Sequence, residues 1–270
     1  MPASTLATFQ QPQRTWGSVR GGTCDRVTLR AHALRFAVAR VVPRRAPAHL
    51  VACIAFGATL LQSYTTWMFT VHPLKTQVAL LVSLVSGAST VLYGAKFAGA
   101  VTILEAATPG TFCMPLRYLQ WGFSTGCLIC MLGALSPEGP RARAVLRRTL
   151  AINAAMMTCA CLERLLPAPA NLGAFAAGGA CFVANLRGQY ELFRLAAMTL
   201  MLPADRVALA ALQRMTTLTW ILFPLTRAAA LGGVLGRNAE EVAFCVCDFA
   251  AKFGYATFLL AGTFSIASKD

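Results

Sequence analysis

The chain is patterned as seven long apolar stretches separated by short polar connections. Each stretch is about 20 residues or longer, roughly what an α-helix needs to cross a hydrocarbon core of about 30 Å. They lie near residues 51–70, 77–101, 114–135, 145–166, 172–192, 207–234 and 242–266. The pattern predicts an all-α membrane protein with a seven-transmembrane helix bundle.

The composition agrees with a polytopic membrane protein and leaves little room for other classes. Of 270 residues, 57% are hydrophobic and 13% charged, and the mean hydropathy is +0.59, which is far too apolar for an ordinary soluble domain. No Ser-His-Asp, Walker-type or dinucleotide motif occurs in a supporting context. We therefore expect no enzymatic activity and no catalytic residues, and assign residues 50–268 to one seven-helix domain.

Lys and Arg concentrate in alternate connections, which indicates the cytoplasmic side. The residues predicted to lie inside are Lys75, Arg141, Arg143, Arg147, Arg148, Arg187, Arg194, Arg206 and Lys269, whereas the other loops offer only Arg164 and Arg237. The distribution predicts that helix 1 starts outside and that the chain ends inside.

Residues 1–49 form a basic N-terminal segment with Asp25 as its single acid. Its many arginines contradict a start of helix 1 on the outside. The segment resembles a cleaved targeting peptide, and a basic tail at a membrane surface or an N-terminus that stays cytoplasmic explains it equally well. Much of the net charge of +14 lies here and in the inside loops, so we do not expect nucleic acid as a partner. The plasma membrane is the expected location, with an organelle membrane as the alternative.

The ten cysteines mostly fall within apolar stretches, where thiols behave as small hydrophobic groups. The pairs Cys127/Cys130 and Cys245/Cys247 have no histidine near them in the sequence. No metal site is expected.

Helix 7 carries an acid and an amine near the middle of an apolar span. Asp248 and Lys252 are four residues apart and share one helical face. Ionisable groups at membrane depth are costly and usually functional. The pair is either a neutralised ion pair that eases insertion or part of a functional site.

Three motifs in order on helices 3, 6 and 7 favour the functional interpretation. Helix 3 has Arg-Tyr-x-x-Trp from Arg117, helix 6 has Trp-x-x-Phe-Pro from Trp220, and helix 7 has Asp-x-x-x-Lys-x-Gly from Asp248. The chain resembles the microbial (type I) rhodopsins across helices 2 to 7, and among them is most similar to channelrhodopsins, including anion channelrhodopsins.

The resemblance implies all-trans retinal, covalently bound as a protonated Schiff base on Lys252 with Asp248 as its counterion. A cation in a low-dielectric pocket needs such a partner. The implied pocket residues are Trp121, Ser124, Thr125, Leu128, Phe182, Trp220, Phe223 and Pro224, with Phe175, Gly178 and Gly179 near the ring end. Planar apolar rings suit a conjugated chain.

Two departures from the proton-pump pattern bear on function. Gln120 stands where pumps have the carboxylate that accepts the proton, and Met131 stands where they have the internal donor. Neither residue can exchange a proton, so the sequence predicts that this chain is not an outward proton pump.

Charges elsewhere suggest an anion path. Lys96, Arg117, Arg227 and the imine would face Asp248 as the single embedded anion, giving an electropositive interior. Gln120, Gln62 and Tyr93 would also line or gate the path, and Thr125 could bond Asn153. Snorkelling or helix packing are the alternatives for Lys96, Arg227, Gln62 and Asn153.

These observations predict a light-gated ion channel that conducts chloride or another small anion. The alternatives are a sensory rhodopsin that signals to a separate partner and a light-driven inward ion pump. The expected partners are retinal, the lipid bilayer and further copies of the chain, in a dimer or trimer.

Overall fold

The computed structural model describes residues 47–70, 73–101, 104–105 and 112–261. Over these residues the chain forms seven long helices and one short hairpin. The elements are α1 (Pro47–Phe69), α2 (Pro73–Phe97), β1 (Leu104–Glu105), β2 (Phe112–Cys113), α3 (Pro115–Leu135), α4 (Pro140–Leu165), α5 (Ala170–Thr199), α6 (Pro203–Leu231) and α7 (Arg237–Ala261). The all-α prediction with seven helices is confirmed.

Proline and glycine set several helix ends. Pro115, Pro140 and Pro203 occupy the first turns of α3, α4 and α6, where the missing N–H costs nothing. Gly232 follows α6, and Gly233 adopts φ +74°, a left-handed conformation that ends the helix three residues before the predicted boundary. The predicted end of helix 7 at 266 and the segment 1–46 lie outside the described residues.

Four of the described helices, α1 to α4, are long and apolar enough to cross a membrane on length and composition alone. Among the other three, α7 carries Glu240, Glu241, Asp248 and Lys252. These charges interrupt its apolar run but serve the site described below.

Several arginines assigned to loops lie on helices instead. The prediction was wrong for Arg141, Arg143, Arg194 and Arg206, which fall outside the predicted stretches but belong to the first turn of α4, the end of α5 and the first turn of α6. These four arginines are exposed, so long side chains at a helix surface keep their charge near water. Arg164 also belongs to α4, and it is buried.

The apolar core fills the half of the bundle opposite the start of α3. It joins α2, α3, α5, α6 and α7 through the fully buried Val82, Met131, Leu192, Leu212 and Tyr255. On the α4–α5 side, a Cβ added at Gly188 would come within 2.2 Å of Thr149 Oγ1, so the glycine permits close helix contact. The side chains in this half of the bundle are therefore tightly packed.

Candidate retinal site

The site is centred on the buried pair in α7. Lys252 Nζ lies 2.5 Å from Asp248 Oδ1, and the two side chains are 3% and 1% exposed. Tyr93 on α2 donates a hydrogen bond to Asp248 Oδ2 at 3.0 Å. The carboxylate is therefore held between α2 and α7 and directed at the amine.

A cavity of about 140 Å³ opens beside this pair. Its lining includes nine of the ten residues predicted to bind the chromophore: Trp121, Thr125, Leu128, Phe182, Trp220, Phe223, Pro224, Asp248 and Lys252. Phe175, Gly178 and Gly179 also line it, on α5. Ser124 is the exception, because its buried hydroxyl donates to the Trp121 carbonyl at 3.3 Å.

The walls of the cavity suit a planar conjugated group. Trp121 makes edge contacts with Phe223 and Phe244, at centroid distances of 5.0 and 5.2 Å, so the walls are largely aromatic. Lys252 Nζ contacts its carboxylate closely but lacks a partner in hydrogen-bond geometry among the described residues. A buried amine that faces an apolar cavity suits covalent attachment of a carbonyl compound.

Gln120 lies within the bundle on α3, directly before the cavity-lining Trp121. Its Nε2 donates to Ser89 Oγ at 2.8 Å, and its side chain is buried. Met131 is also fully buried. Both side chains therefore occupy interior positions without supplying a group that exchanges protons.

A buried chain of polar side chains runs from α3 to α5. Thr125 Oγ1 lies 2.9 Å from Asn153 Oδ1, Asn185 Nδ2 donates to the same oxygen at 3.3 Å, and Gln189 Nε2 donates to Asn185 Oδ1 at 3.2 Å. The predicted contact of Thr125 with Asn153 is present. Asn185 and Gln189 extend it to a third helix.

Charged side chains cluster at the end of the bundle where α3 and α7 begin, hereafter the charged end. Glu241 pairs with Arg117 and lies 3.6 Å from Lys96 Nζ. Arg117 also lies over the rings of Trp121 and Phe244. Arg117 and Lys96 therefore share one carboxylate beside the cavity wall.

A second group at the charged end joins α4, α6 and α7. Arg227 contacts Glu163 at 2.5 Å and Glu240 at 3.2 Å, while Arg164 pairs with Glu240. Each base has an acidic partner, and each acid touches both bases, with Arg164 Nε 3.6 Å from Glu163. The four charges form a closed, electroneutral group.

The prediction that Asp248 is the single embedded anion was wrong, and the predicted positive excess of the interior was too large. Among the ion pairs beside the cavity and at the charged end, the bases Lys96, Arg117, Arg164, Arg227 and Lys252 number five, and the acids Glu163, Glu240, Glu241 and Asp248 number four. The difference is a single positive charge. The acids were missed because they lie near predicted helix ends, where the sequence suggests solvated loops.

The structure does not place Gln62 inside the bundle. Its side chain is exposed, and α1 turns the fully buried Ser63 inward, where it meets Ser83 Oγ at 2.9 Å. The 3.6-residue period of α1 puts these neighbours on different faces, so the prediction of Gln62 as an interior lining group was wrong.

Part of the cavity wall consists of residues that the sequence did not predict as pocket residues. The additional lining residues include Tyr118, Met156, Met157, Ala160, Glu163, Arg164, Arg227 and Phe244. The signal available for the charged members was the adjacency Glu163-Arg164 near the end of an apolar span, together with Glu240-Glu241 at the start of another. The apolar α4 residues Met156, Met157 and Ala160 carried no such signal, since an apolar helix face looks alike in lipid and in a pocket.

The chain is similar to known membrane proteins in sequence and in fold. The family model described as bacteriorhodopsin-like protein matches residues 47–266, and no curated protein sequence matched. The transmembrane domain of the Salpingoeca rosetta rhodopsin phosphodiesterase is similar at 21% identity, covering 79% of this chain and 82% of that one, with a TM-score of 0.71. Thermophilic rhodopsin from Rubrobacter xylanophilus has 18% identity, coverage of 81% and 95%, and a TM-score of 0.72.

A light-driven proton pump from Leptosphaeria maculans is similar at 16% identity, with coverage of 80% and 92% and a TM-score of 0.68. At such identities the structural likeness shows the fold alone. The family match spans most of the chain and includes the α7 pair, the α3 motif and the α6 motif. The chain belongs to the bacteriorhodopsin-like family of microbial rhodopsins.

Proposed function

We propose that this protein is a retinal photoreceptor that senses light without exporting protons and that signals through helix displacement to a separate partner. Members of its family normally bind retinal. The observation that carries the proposal is the Lys252 amine, which is buried beside an aromatic cavity and faces Asp248 at 2.5 Å. Retinal, when bound, supplies light absorption and photoisomerisation.

Lys252 would hold the chromophore, and Asp248 would balance the positive charge at its nitrogen. The Tyr93 hydroxyl fixes one oxygen of Asp248 and leaves the other against Lys252. Such a carboxylate stabilises a buried cation without further reorganisation. Trp121 and Trp220 line the cavity from α3 and α6 and would restrict which way the polyene can turn.

Gln120 and Met131 argue against outward proton transport. A pump needs an acceptor near the cation and a donor on the path from the opposite side. Here the amide of Gln120 is held by Ser89, and Met131 lies in packed apolar core. Within the described helices these positions supply no such relay.

The helix contacts of the cavity provide a route for a signal. Thr125 lines the cavity and begins the polar chain that passes through Asn153 to Asn185 on α5. A change in chromophore shape would therefore bear on α3, α4 and α5 together. The partner would read the resulting displacement of the helices.

Light-gated anion conduction is a second candidate, favoured by one observation. Lys96 and Arg117 share a single acid, Glu241, whose side chain is 30% exposed, and Gln120 adds no negative charge. Loss of Glu241 from this contact would leave two bases facing one pathway and favour anions. A light-driven inward pump is a third outcome for the same experiment to detect.

Whole-cell voltage clamp under illumination, combined with flash spectroscopy, distinguishes these outputs. The proposal expects a photocycle without a steady photocurrent. A current that reverses at the chloride equilibrium potential would contradict the sensory function and indicate an anion channel. A current that follows no equilibrium potential would indicate an ion pump.

For the channel, Lys96→Glu would shift the reversal potential away from that of chloride, whereas Lys75→Glu at the other end of α2 would not. A photocurrent with an unchanged reversal potential in the Lys96 variant would remove that residue from the pathway.

A further inference from the structure

Two thiols from different elements touch at the charged end of the bundle. Cys113 Sγ, on β2, lies 3.7 Å from Cys161 Sγ, on α4, across 48 positions of sequence. A disulfide requires a sulfur–sulfur distance of about 2.05 Å. The pair is thus within a small movement of bonding distance, and both residues are free thiols in this structure.

The local backbone allows that movement. Cys113 ends a two-residue strand and precedes the first turn of α3, so it is not held by helical hydrogen bonds. Cys161 lies about one turn from the end of α4. Cys161 is partly exposed, whereas Cys113 is 1% exposed, so an oxidant reaches Cys161 first.

The position in the fold favours oxidation. The charged end holds the starts of α1, α3 and α7, and the distribution of basic residues predicts that helix 1 starts on the non-cytoplasmic side. Disulfides form and persist in the extracellular space and in oxidising lumens. A cysteine pair at this end therefore meets conditions that the thiols deeper in the bundle do not.

We propose that Cys113 and Cys161 form a regulatory or structural disulfide that ties the start of α3 to α4. The Cys161 thiolate attacks a small-molecule or protein disulfide, forms a mixed disulfide and releases one thiol. The Cys113 thiolate then attacks the Cys161 sulfur and releases the second thiol. The chain loses two electrons and two protons, and the external disulfide is reduced to two thiols.

The bond would act on the chromophore cavity. Cys113 packs in one cluster with Tyr118, Trp121 and Phe244, three residues of the cavity wall. Ala160, the neighbour of Cys161, packs against the same cluster and lines the cavity from α4. A covalent link between them restricts separation of α3 from α4, so it slows entry of water and small reagents to Lys252.

Peptide mapping tests the bond without retinal or light, so its failure is distinct from failure of the proposed function. Full-length protein in detergent is incubated with glutathione disulfide, free thiols are trapped with N-ethylmaleimide, and the digest is analysed by mass spectrometry. The proposal expects a Cys113–Cys161 linked peptide that disappears after reduction. Alkylation of both residues after oxidant treatment would overturn it.

A second measurement tests the effect on the wall. With retinal bound, reduction of the oxidised protein is expected to lower the melting temperature by about 10 °C and to accelerate bleaching by hydroxylamine several-fold. Cys161→Ser should remove this redox dependence, and Cys159→Ser, two residues earlier on α4, should retain it. Equal redox dependence in both variants would contradict the assignment.

Discussion

Removal of the Asp248 carboxylate is the sharpest perturbation of the proposed site. Asp248→Asn keeps the shape of the side chain but removes its negative charge. The carboxylate lies 2.5 Å from Lys252 Nζ, and both groups are buried. Breaking a buried pair by removing one partner costs about 3 to 5 kcal/mol, which corresponds to roughly a hundredfold to several thousandfold bias against the charged form at Lys252.

The expected result in protein reconstituted with all-trans retinal is a large change in absorption with pH. Wild-type protein should keep its visible band at neutral pH, whereas Asp248→Asn should absorb mainly in the near ultraviolet and recover a visible band only in acid. Absorption spectra between pH 4 and 9 measure this directly. Asp205→Asn, the same exchange at the start of α6 and outside the cavity lining, is the matched control.

An Asp248→Asn variant with an unchanged band over this pH range would contradict the assignment of Asp248 as the counterion at Lys252. It would show that another group balances the charge at Lys252. A visible band that is lost equally in Asp205→Asn would also refute it, because the effect would then be general destabilisation.

Other substitutions test separate parts of the site. Gln120→Glu places a second carboxylate on α3 and should shift the visible band to shorter wavelength and introduce a transient light-induced pH change; an unaltered spectrum and pH would mean that residue 120 does not face the chromophore. Tyr93→Phe removes a buried hydrogen bond to Asp248 worth about 1 to 3 kcal/mol. The pH dependence of the visible band should shift in the same direction as in Asp248→Asn, but by less. A shift as large as that of Asp248→Asn would contradict the supporting role of Tyr93. Glu241→Gln leaves Arg117 without its carboxylate and should shorten the thermal half-life of the pigment, with little change in colour; an unchanged half-life would show that this ion pair adds no stability.

The sequence predicted the helix bundle because apolar periodicity and membrane thickness leave few alternatives. The resemblance carried by the motifs on α3, α6 and α7 also implied that Lys252, Asp248 and the named pocket residues lie together, and nine of those ten residues line one cavity. Helix boundaries near Arg141 and Arg194 were not predictable from polarity, because exposed arginines are tolerated on a helix whose end lies near water.

The charge pairing at the charged end could not be read from the sequence. Glu163 and Arg227 are 64 positions apart and meet only when α4 and α6 pack. Counting charges by helix therefore overestimated the positive excess. The exposed side chain of Gln62 illustrates the same limit, since a polar residue within an apolar helix shows its face only when its neighbours are placed.

The assignment of Lys252 as the residue that binds retinal is tested by identifying the lysine that carries the chromophore. The full chain would be reconstituted with all-trans retinal, reduced with borohydride in the light, digested and analysed by mass spectrometry. We expect a retinyl group on the peptide that contains Lys252, and we expect both this group and the visible band to be lost completely in Lys252→Ala. A retinyl group on another lysine, or a visible band that survives in Lys252→Ala, would contradict it.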